Sequence, residues 1–128
     1  MKSEVKKRLG ERELDIMQSL WRLEKATVAQ VQEDLRKQDS DIAYTTIQTM
    51  LNRLETKKLV ARDDSERTHR YYALLAEPDV AGSALRRLVE RFFRGSTEAL
   101  VTRLLEEDLT SEQLGRIQSL IDKHRKEE

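Results

Sequence analysis

Apolar residues recur at helical spacing in three short segments before residue 58, and this pattern constrains the fold more than any other feature of the chain. Side chains three, four and seven positions apart share one face of a helix, because successive residues are about 100° apart. The residues that share a face are Leu14, Met17 and Trp21 in the first segment, where Ile16 and Leu20 widen the stripe, Val28, Val31 and Leu35 in the second, and Ile47, Met50, Leu51 and Leu54 in the third. The segments predict three short helices, the third from about Tyr44 to Lys58.

Two short runs after the third helix have the composition of β-strands. Residues 59–62 and 70–75 flank a polar turn, and the second run holds the β-favouring pair Tyr71 and Tyr72. We predict that these tyrosines, like Trp21, pack in the core or the hairpin and do not stack on bases. Three short helices followed by a hairpin is the element order of a winged helix-turn-helix domain.

A Ser or Thr followed three residues later by Glu or Gln is a capping-box spacing, which marks the start of a helix. The spacing occurs at Thr27 with Gln30, at Thr45 with Gln48, and again near the C-terminus at Thr110 with Gln113. We therefore expect helices to begin at these three places.

The remaining chain predicts three further helices with apolar stripes, the first of which Gly95 would end. These stripes are too apolar to remain on the surface of so small a protein, so we expect them to face a partner, most simply a second copy. The alternative is that they fold back on the winged helix as a monomeric core. The predicted dimerisation residues are Leu85, Leu88, Val89, Phe92, Leu100, Val101, Leu104, Leu114, Ile117 and Ile121.

The resulting fold class is mainly α with a small β-hairpin wing. We predict an N-terminal winged helix-turn-helix domain at residues 1–76 and a C-terminal three-helix dimerisation segment at residues 77–128.

The third predicted helix carries an unusual polar face. Its side chains are short or planar hydrogen-bonding groups, unlike the Lys and Glu of a general solvent-facing surface, and they are Thr45, Thr46, Gln48, Thr49, Asn52 and Arg53. A helix in the major groove of DNA needs such groups, because Gln can pair with adenine, Arg with guanine or a phosphate, and a Thr methyl can touch a thymine methyl. The alternative is an ordinary exposed helix face, but the position before a hairpin favours contact with DNA.

Basic residues in two other places are candidates for phosphate contact. Arg67 and Arg70 lie on or near the wing, where they can reach the DNA backbone or form a charged turn with neighbouring carboxylates. A second cluster, Lys2, Lys6, Lys7 and Arg8, is either an arm that reaches phosphates or a solvated tail.

Composition excludes several other classes of function. The chain has 24 basic and 24 acidic residues, so any affinity for DNA must come from local patches of charge. It has no cysteine, only two histidines and no glycine-rich loop, so we predict neither a metal site, a cofactor nor an enzyme. No apolar run is long enough to span a membrane, which favours a cytoplasmic protein without membrane insertion.

The sequence resembles the penicillinase-repressor family of BlaI and MecI over nearly the whole chain. The most specific part is the run from Tyr44 to Leu54, Tyr-Thr-Thr-Ile-Gln-Thr-Met-Leu-Asn-Arg-Leu, which follows Ala26-Thr27-Val28 and precedes Lys57-Lys58. The resemblance implies a homodimer that represses resistance or stress genes by binding double-stranded operator DNA with TACA and TGTA half-sites. It also implies recognition-helix roles for Thr45, Thr46, Gln48, Thr49 and Arg53.

Two branches of this family differ in how they are induced. The penicillinase branch implies a membrane sensor protease as a further partner, which triggers cleavage at an Asn-Phe bond among the dimerisation helices. The corresponding place here reads Arg103-Leu104, which departs from that pattern. The copper-responsive branch uses a C-terminal cysteine cluster, and the lack of cysteine excludes copper sensing through thiolates.

Two alternative functions remain open on the sequence alone. A ligand-responsive winged helix of the MarR type would release DNA when a small molecule binds. A helical adaptor would instead use the winged helix to bind protein, and any DNA binding would be weak or insensitive to salt.

Overall fold

The computed structural model describes residues 9–127 and contains six helices and two strands over that range. The helices are α1 (Glu11–Leu23), α2 (Val28–Lys37), α3 (Tyr44–Thr56), α4 (Glu77–Phe93), α5 (Thr97–Leu105) and α6 (Ser111–Lys126), and the strands are β1 (Val60–Asp63) and β2 (Arg70–Ala73). This order confirms the predicted fold class, in which a winged helix-turn-helix precedes three helices. The basic cluster at Lys2, Lys6, Lys7 and Arg8 lies outside the described residues.

One apolar core joins α1, α2, α3 and the hairpin. Its buried side chains are Ile16, Met17, Leu20, Ala26, Val28, Val31, Leu35, Ile42, Ile47, Leu51, Leu54, Leu59, Val60 and Tyr71. The predicted core face of α1 is confirmed at Ile16, Met17 and Leu20, which are buried, and is wrong at Leu14, which is exposed. Trp21 is half-buried, and its indole Nε1 donates to the carbonyl oxygen of Leu75 at 2.9 Å.

The capping boxes are confirmed at two of the three predicted places. The hydroxyls of Thr27 and Thr110 accept from the third residue of α2 and α6, and the glutamine side chain of each box returns to the cap. The box at Thr45 is wrong, because the N-cap of α3 is Ala43, which lies two residues earlier and has no side-chain oxygen. Thr45 therefore lies inside the first turn of α3 with its side chain exposed.

The wing is an antiparallel hairpin that a third piece of chain extends. Val60 pairs with Ala73 and Asp63 with Arg70, and Tyr71 forms a further bridge with Ala26, which lies between α1 and α2. Lys25 fixes the same junction, since its ammonium lies 2.8 Å from the carboxylate of Asp63. The hairpin is thus held against the segment that joins α1 to α2.

The chain divides into two compact units, and the division falls between Leu85 and Arg86, inside α4. The boundary predicted at residues 76 and 77 coincides with the first residue of α4, and it stays a prediction. The end of α4 is as expected, because Arg94 and Gly95 both adopt positive φ just after Phe93. In the part of the chain that the structure describes, no helix combines the length and apolar character that crossing a membrane requires.

Candidate nucleic-acid interface

Helix α3 has one face in the core and the other open. Ile47, Leu51 and Leu54 on the core face have no exposed surface. The structure brings all six polar residues predicted on this helix to the other side: Thr45, Thr49, Asn52 and Arg53 are exposed, and Thr46 and Gln48 are half-buried. The buried face holds the helix in position, and the polar face is free to meet a ligand.

Three of these polar side chains differ in how many of their groups remain available. The hydroxyl of Thr49 donates to the carbonyl oxygen of Thr45 at 2.9 Å, so its hydrogen is used within the helix. Among the described residues, the guanidinium of Arg53 bonds to the sulfur of Met50 at 3.8 Å and forms no ion pair within 4 Å, and its charge acts on the carboxylate of Glu13 only at longer range. Gln48 is bonded on its nitrogen side to Asn52 and to a wing residue, Tyr71. Arg53 is therefore the freest cationic donor on this face.

An ion pair between a buried carboxylate and a half-buried lysine joins the end of α3 to α1. The carboxylate of Glu13, which is 5% exposed, accepts from Lys57 Nζ at 2.9 and 3.0 Å and from the backbone N–H of Gly10 at 3.0 Å. Burial raises the pKa of Glu13, but the bonds from Gly10 and Lys57 together outweigh it, and the pKa lies below its ordinary value. Sequence reasoning missed this pair because its residues are 44 positions apart.

An open cleft of about 270 Å³ lies between α3 and the wing. Its lining residues are Val28, Tyr44, Gln48, Arg67, Thr68, His69 and Tyr71. The exposed phenol of Tyr44, at the first position of α3, was not among the predicted site residues. An aromatic residue at the exposed start of the helix that carries the polar face is the signal that would have found it.

The two wing arginines predicted to contact phosphates are in different situations. Arg70 already pairs with Glu66 at 3.1 Å, whereas Arg67 makes no ion pair with any described residue. His69 lies 3.5 Å from the carboxylate of Asp64. Arg67 is thus the wing cation whose charge is least compensated, and it lines the cleft beside α3.

The predicted dimerisation residues lie on α4, α5 and α6. No side chain of α5 or α6 is buried, and Phe92 at the end of α4 is 76% exposed. Seven of these residues are exposed in the single chain, and Val89, Leu100 and Ile117 are half-buried. The helices thus present large apolar side chains to solvent, which is costly for a protein that stays monomeric.

Comparison with known proteins gives relatives along most of the chain. Residues 9–123 match the family model described as penicillinase repressor. The transcriptional regulator BlaI of Mycobacterium tuberculosis is 39% identical over 101 residues, which cover 77% of this chain and 72% of that protein. The methicillin resistance regulatory protein MecI of Staphylococcus aureus is 24% identical over 112 residues, covering 87% of this chain and 90% of MecI.

Solved structures share the fold at lower identity. A complex structure of RosR from H. salinarum superposes with a TM-score of 0.57 at 14% identity and covers 97% of this chain and 95% of RosR. A mutant MarR from E. coli has a TM-score of 0.51 at 16% identity and covers 90% of this chain and 76% of MarR. At these identities the likeness concerns the fold alone.

Proposed function

The chain belongs to the penicillinase repressor family and is a DNA-binding transcriptional repressor, not an enzyme, and from this premise we propose that it acts as a homodimer on a palindromic operator. The operator has half-sites of the TACA and TGTA type and controls resistance or stress genes. Repression follows from occupancy, because a dimer on the operator occupies DNA that the transcription machinery needs.

The observation that carries the proposal is the two-sided character of α3. A helix whose one face is fully buried and whose other face carries hydroxyls, amides and a free guanidinium can enter the major groove without moving from the core. In this arrangement Thr45, Thr46, Gln48, Thr49, Asn52 and Arg53 face the bases and the nearby backbone. Arg67 and Arg70 on the wing contact phosphates and add affinity without sequence information.

The exposed apolar side chains of α4, α5 and α6 support the homodimer. Two copies that bury these stripes against each other would remove apolar surface from water at about 25 cal/mol per Å². A symmetric pair would also carry two α3 helices, and each would engage one half-site of a palindrome. Dimerisation and operator symmetry are thus two parts of the same proposal.

A mobility-shift titration on the promoter of the protein's own operon tests the proposal. The titration is run at two salt concentrations, with a scrambled palindrome as the control DNA. We expect specific binding whose affinity falls steeply with salt, because phosphate contacts release counterions. Equal and weak binding to both DNAs, or binding that salt does not change, would favour the adaptor function.

The variant Arg53→Ala tests the same proposal by changing the protein instead of the DNA. Loss of one base or phosphate contact should weaken operator binding by about tenfold. Arg36→Ala is the control, because Arg36 is an exposed arginine on α2 that pairs with Glu33. An unchanged affinity for Arg53→Ala would contradict the assignment of α3 as the recognition helix.

The route of induction is a separate part of the proposal. Cleavage by the pathway of a membrane sensor protease would fall at Arg103-Leu104, close to the end of α5, where Arg103 pairs with Glu107 at 2.6 Å. Mass analysis of the protein from induced cells tests it: fragments that end at Arg103 support cleavage, and an intact chain during derepression contradicts it. Release of DNA from purified protein by a small molecule would favour ligand control of the MarR type.

A further inference from the structure

The amide of Gln48 is held inside the protein by two hydrogen bonds. Its Nε2 donates to Asn52 Oδ1 at 3.1 Å and to the hydroxyl oxygen of Tyr71 at 3.0 Å. A carboxamide has two N–H donors and one carbonyl acceptor, so both donors of Gln48 are in use. No donor from the described residues bonds to its Oε1. The carbonyl oxygen is thus the one polar atom of this amide that remains for a ligand.

Tyr71 is well placed to fix this orientation. It is 1% exposed, it lies on β2, and it is the residue that bridges to Ala26, between α1 and α2. Its ring is thus fixed by the core, and its hydroxyl is brought to the polar side of α3. Tyr71 is thus linked to α3 by its hydrogen bond with Gln48. The phenolic oxygen of Tyr71 is the acceptor in this bond, because the amide nitrogen of Gln48 can only donate.

This geometry changes what Gln48 can read. The familiar pairing of glutamine with adenine is bidentate: the amide nitrogen donates to N7 while the carbonyl oxygen accepts from the N6 amine. We propose that Tyr71 and Asn52 hold Gln48 so that it reads the operator only as an acceptor, from the exocyclic amine of an adenine or a cytosine. Gln48 is the specificity-determining residue, and Tyr71 is a positioning residue that does not touch DNA.

This inference rests on the proposed function. It is tested with operator DNA in which single bases are replaced by analogues. In each half-site every adenine is replaced in turn by purine, which lacks the N6 amine, or by 7-deazaadenine, which lacks N7. Every cytosine is replaced by 2-pyrimidinone, which lacks the N4 amine. Each DNA is titrated with the wild type and with Gln48→Ala, so that only effects that depend on Gln48 are counted.

The proposal expects one position at which loss of the amine weakens wild-type binding by about tenfold and leaves Gln48→Ala unaffected. At an adenine, loss of N7 should change wild-type affinity by less than about twofold, since a lost bond costs several-fold. An equal, Gln48-dependent loss with 7-deazaadenine would show bidentate reading and overturn the proposal. So would the absence of any position that depends on Gln48.

The positioning role of Tyr71 is tested without DNA, which separates this inference from the proposed function. In the free protein, Tyr71→Phe should move one of the two Gln48 side-chain amide proton resonances to the position of an exposed glutamine. Tyr72→Phe removes a hydroxyl from the next residue of β2 and should leave both resonances in place. Unchanged Gln48 resonances in Tyr71→Phe would overturn the proposed network even if the operator is bound.

Tyr71→Phe also has an expected effect on base reading. In this variant one N–H of Gln48 loses its bond to Tyr71 and can donate to a base. If Gln48 reads an adenine, binding should become sensitive to the loss of N7. If it reads a cytosine, binding should depend less on the N4 amine. Thermal unfolding of the two Phe variants controls for damage to the fold. Base reading identical to that of the wild type would contradict the role of Tyr71.

Discussion

The two units of the chain use amphipathic helices in opposite ways. Every buried apolar side chain among the described residues lies between Ile16 and Tyr71, where α1, α2, α3 and the hairpin enclose a core. Helices α5 and α6 have comparable apolar stripes, yet neither buries a side chain. The first unit completes its core within one chain, and the apolar faces of α5 and α6 in the second unit stay exposed. Amphipathic periodicity predicts a buried face but does not say what buries it.

The largest expected effect distinguishes the two units by stability. Leu51→Ala removes a fully buried side chain of α3 and should lower the free energy of unfolding by about 3 kcal/mol. Leu104→Ala, at a residue of α5 that is 53% exposed, should lower it by less than about 1 kcal/mol when the protein is dilute. Denaturant titrations measure both. Equal losses would mean that the second unit has a core of its own.

The next effect tests whether a second copy covers the apolar stripes. Leu104→Ala should raise the dissociation constant of the dimer by about thirtyfold, since each copy loses part of a buried leucine, about 2 kcal/mol together. Thr102→Ala, from the same helix, is the control, because its exposed hydroxyl only donates to the carbonyl oxygen of Glu98. Sedimentation over a range of concentrations measures the constants. A wild type that remains monomeric at all concentrations would contradict the homodimer.

A smaller effect compares an ion pair inside the first unit with one on the surface of the second. Glu13→Gln removes the buried carboxylate that joins α1 to Lys57 and should cost about 1.5 kcal/mol of unfolding free energy. Glu107→Gln removes the partner of Arg103, whose pair is exposed on both sides, and should cost less than about 0.5 kcal/mol. Similar losses of unfolding free energy in the two variants would mean that the burial of Glu13 does not make its ion pair more stabilising.

Acid provides a second measurement of the Glu13 pair. Because the pKa of Glu13 is lowered in the folded state, the pair stabilises the fold above the unfolded pKa, near 4.5. That contribution is lost as the pH falls through the lower, folded pKa. Glu13→Gln should therefore lose less stability than the wild type below pH 4.5. Parallel stability curves for the two proteins would show that another carboxylate controls the acid response.

Much of the first unit could be predicted because its determinants are local. The spacing of Ile47, Met50, Leu51 and Leu54 predicted the core face of α3, and the structure buries all of them except Met50, which is half-buried against the core. The Thr27 box predicted the start of α2 for the same reason, since its bonds span only three residues. The same spacing at Thr45 failed because a threonine and a glutamine three residues apart also occur inside a helix, and Ala43 is the cap.

The determinants of the candidate site are less local, and the sequence did not reveal them. The pair of Glu13 with Lys57 and the bond between Gln48 and Tyr71 join residues 44 and 23 positions apart. Periodicity placed Gln48 on the polar face but assumed that both ends of its amide were free. Only the folded position of β2 shows that Tyr71 occupies the nitrogen side, so reading a site from sequence overestimates the hydrogen bonds that its residues can offer.

The smallest effect separates two wing arginines that the sequence treated as equivalent. Because Arg67 has no ion pair with a described residue, Arg67→Ala should lower operator affinity by about fivefold and reduce the slope of log affinity against log salt by about one. Arg70 already pairs with Glu66, so Arg70→Ala should change both quantities less. Mobility-shift titrations at several salt concentrations measure the slopes.

If Arg70→Ala has the larger effect, the pair with Glu66 opens when DNA binds, and the charge balance of the free wing does not predict its contacts. If neither variant changes the slope, the wing does not touch phosphates, and the salt-dependent part of the affinity comes from residues outside the hairpin.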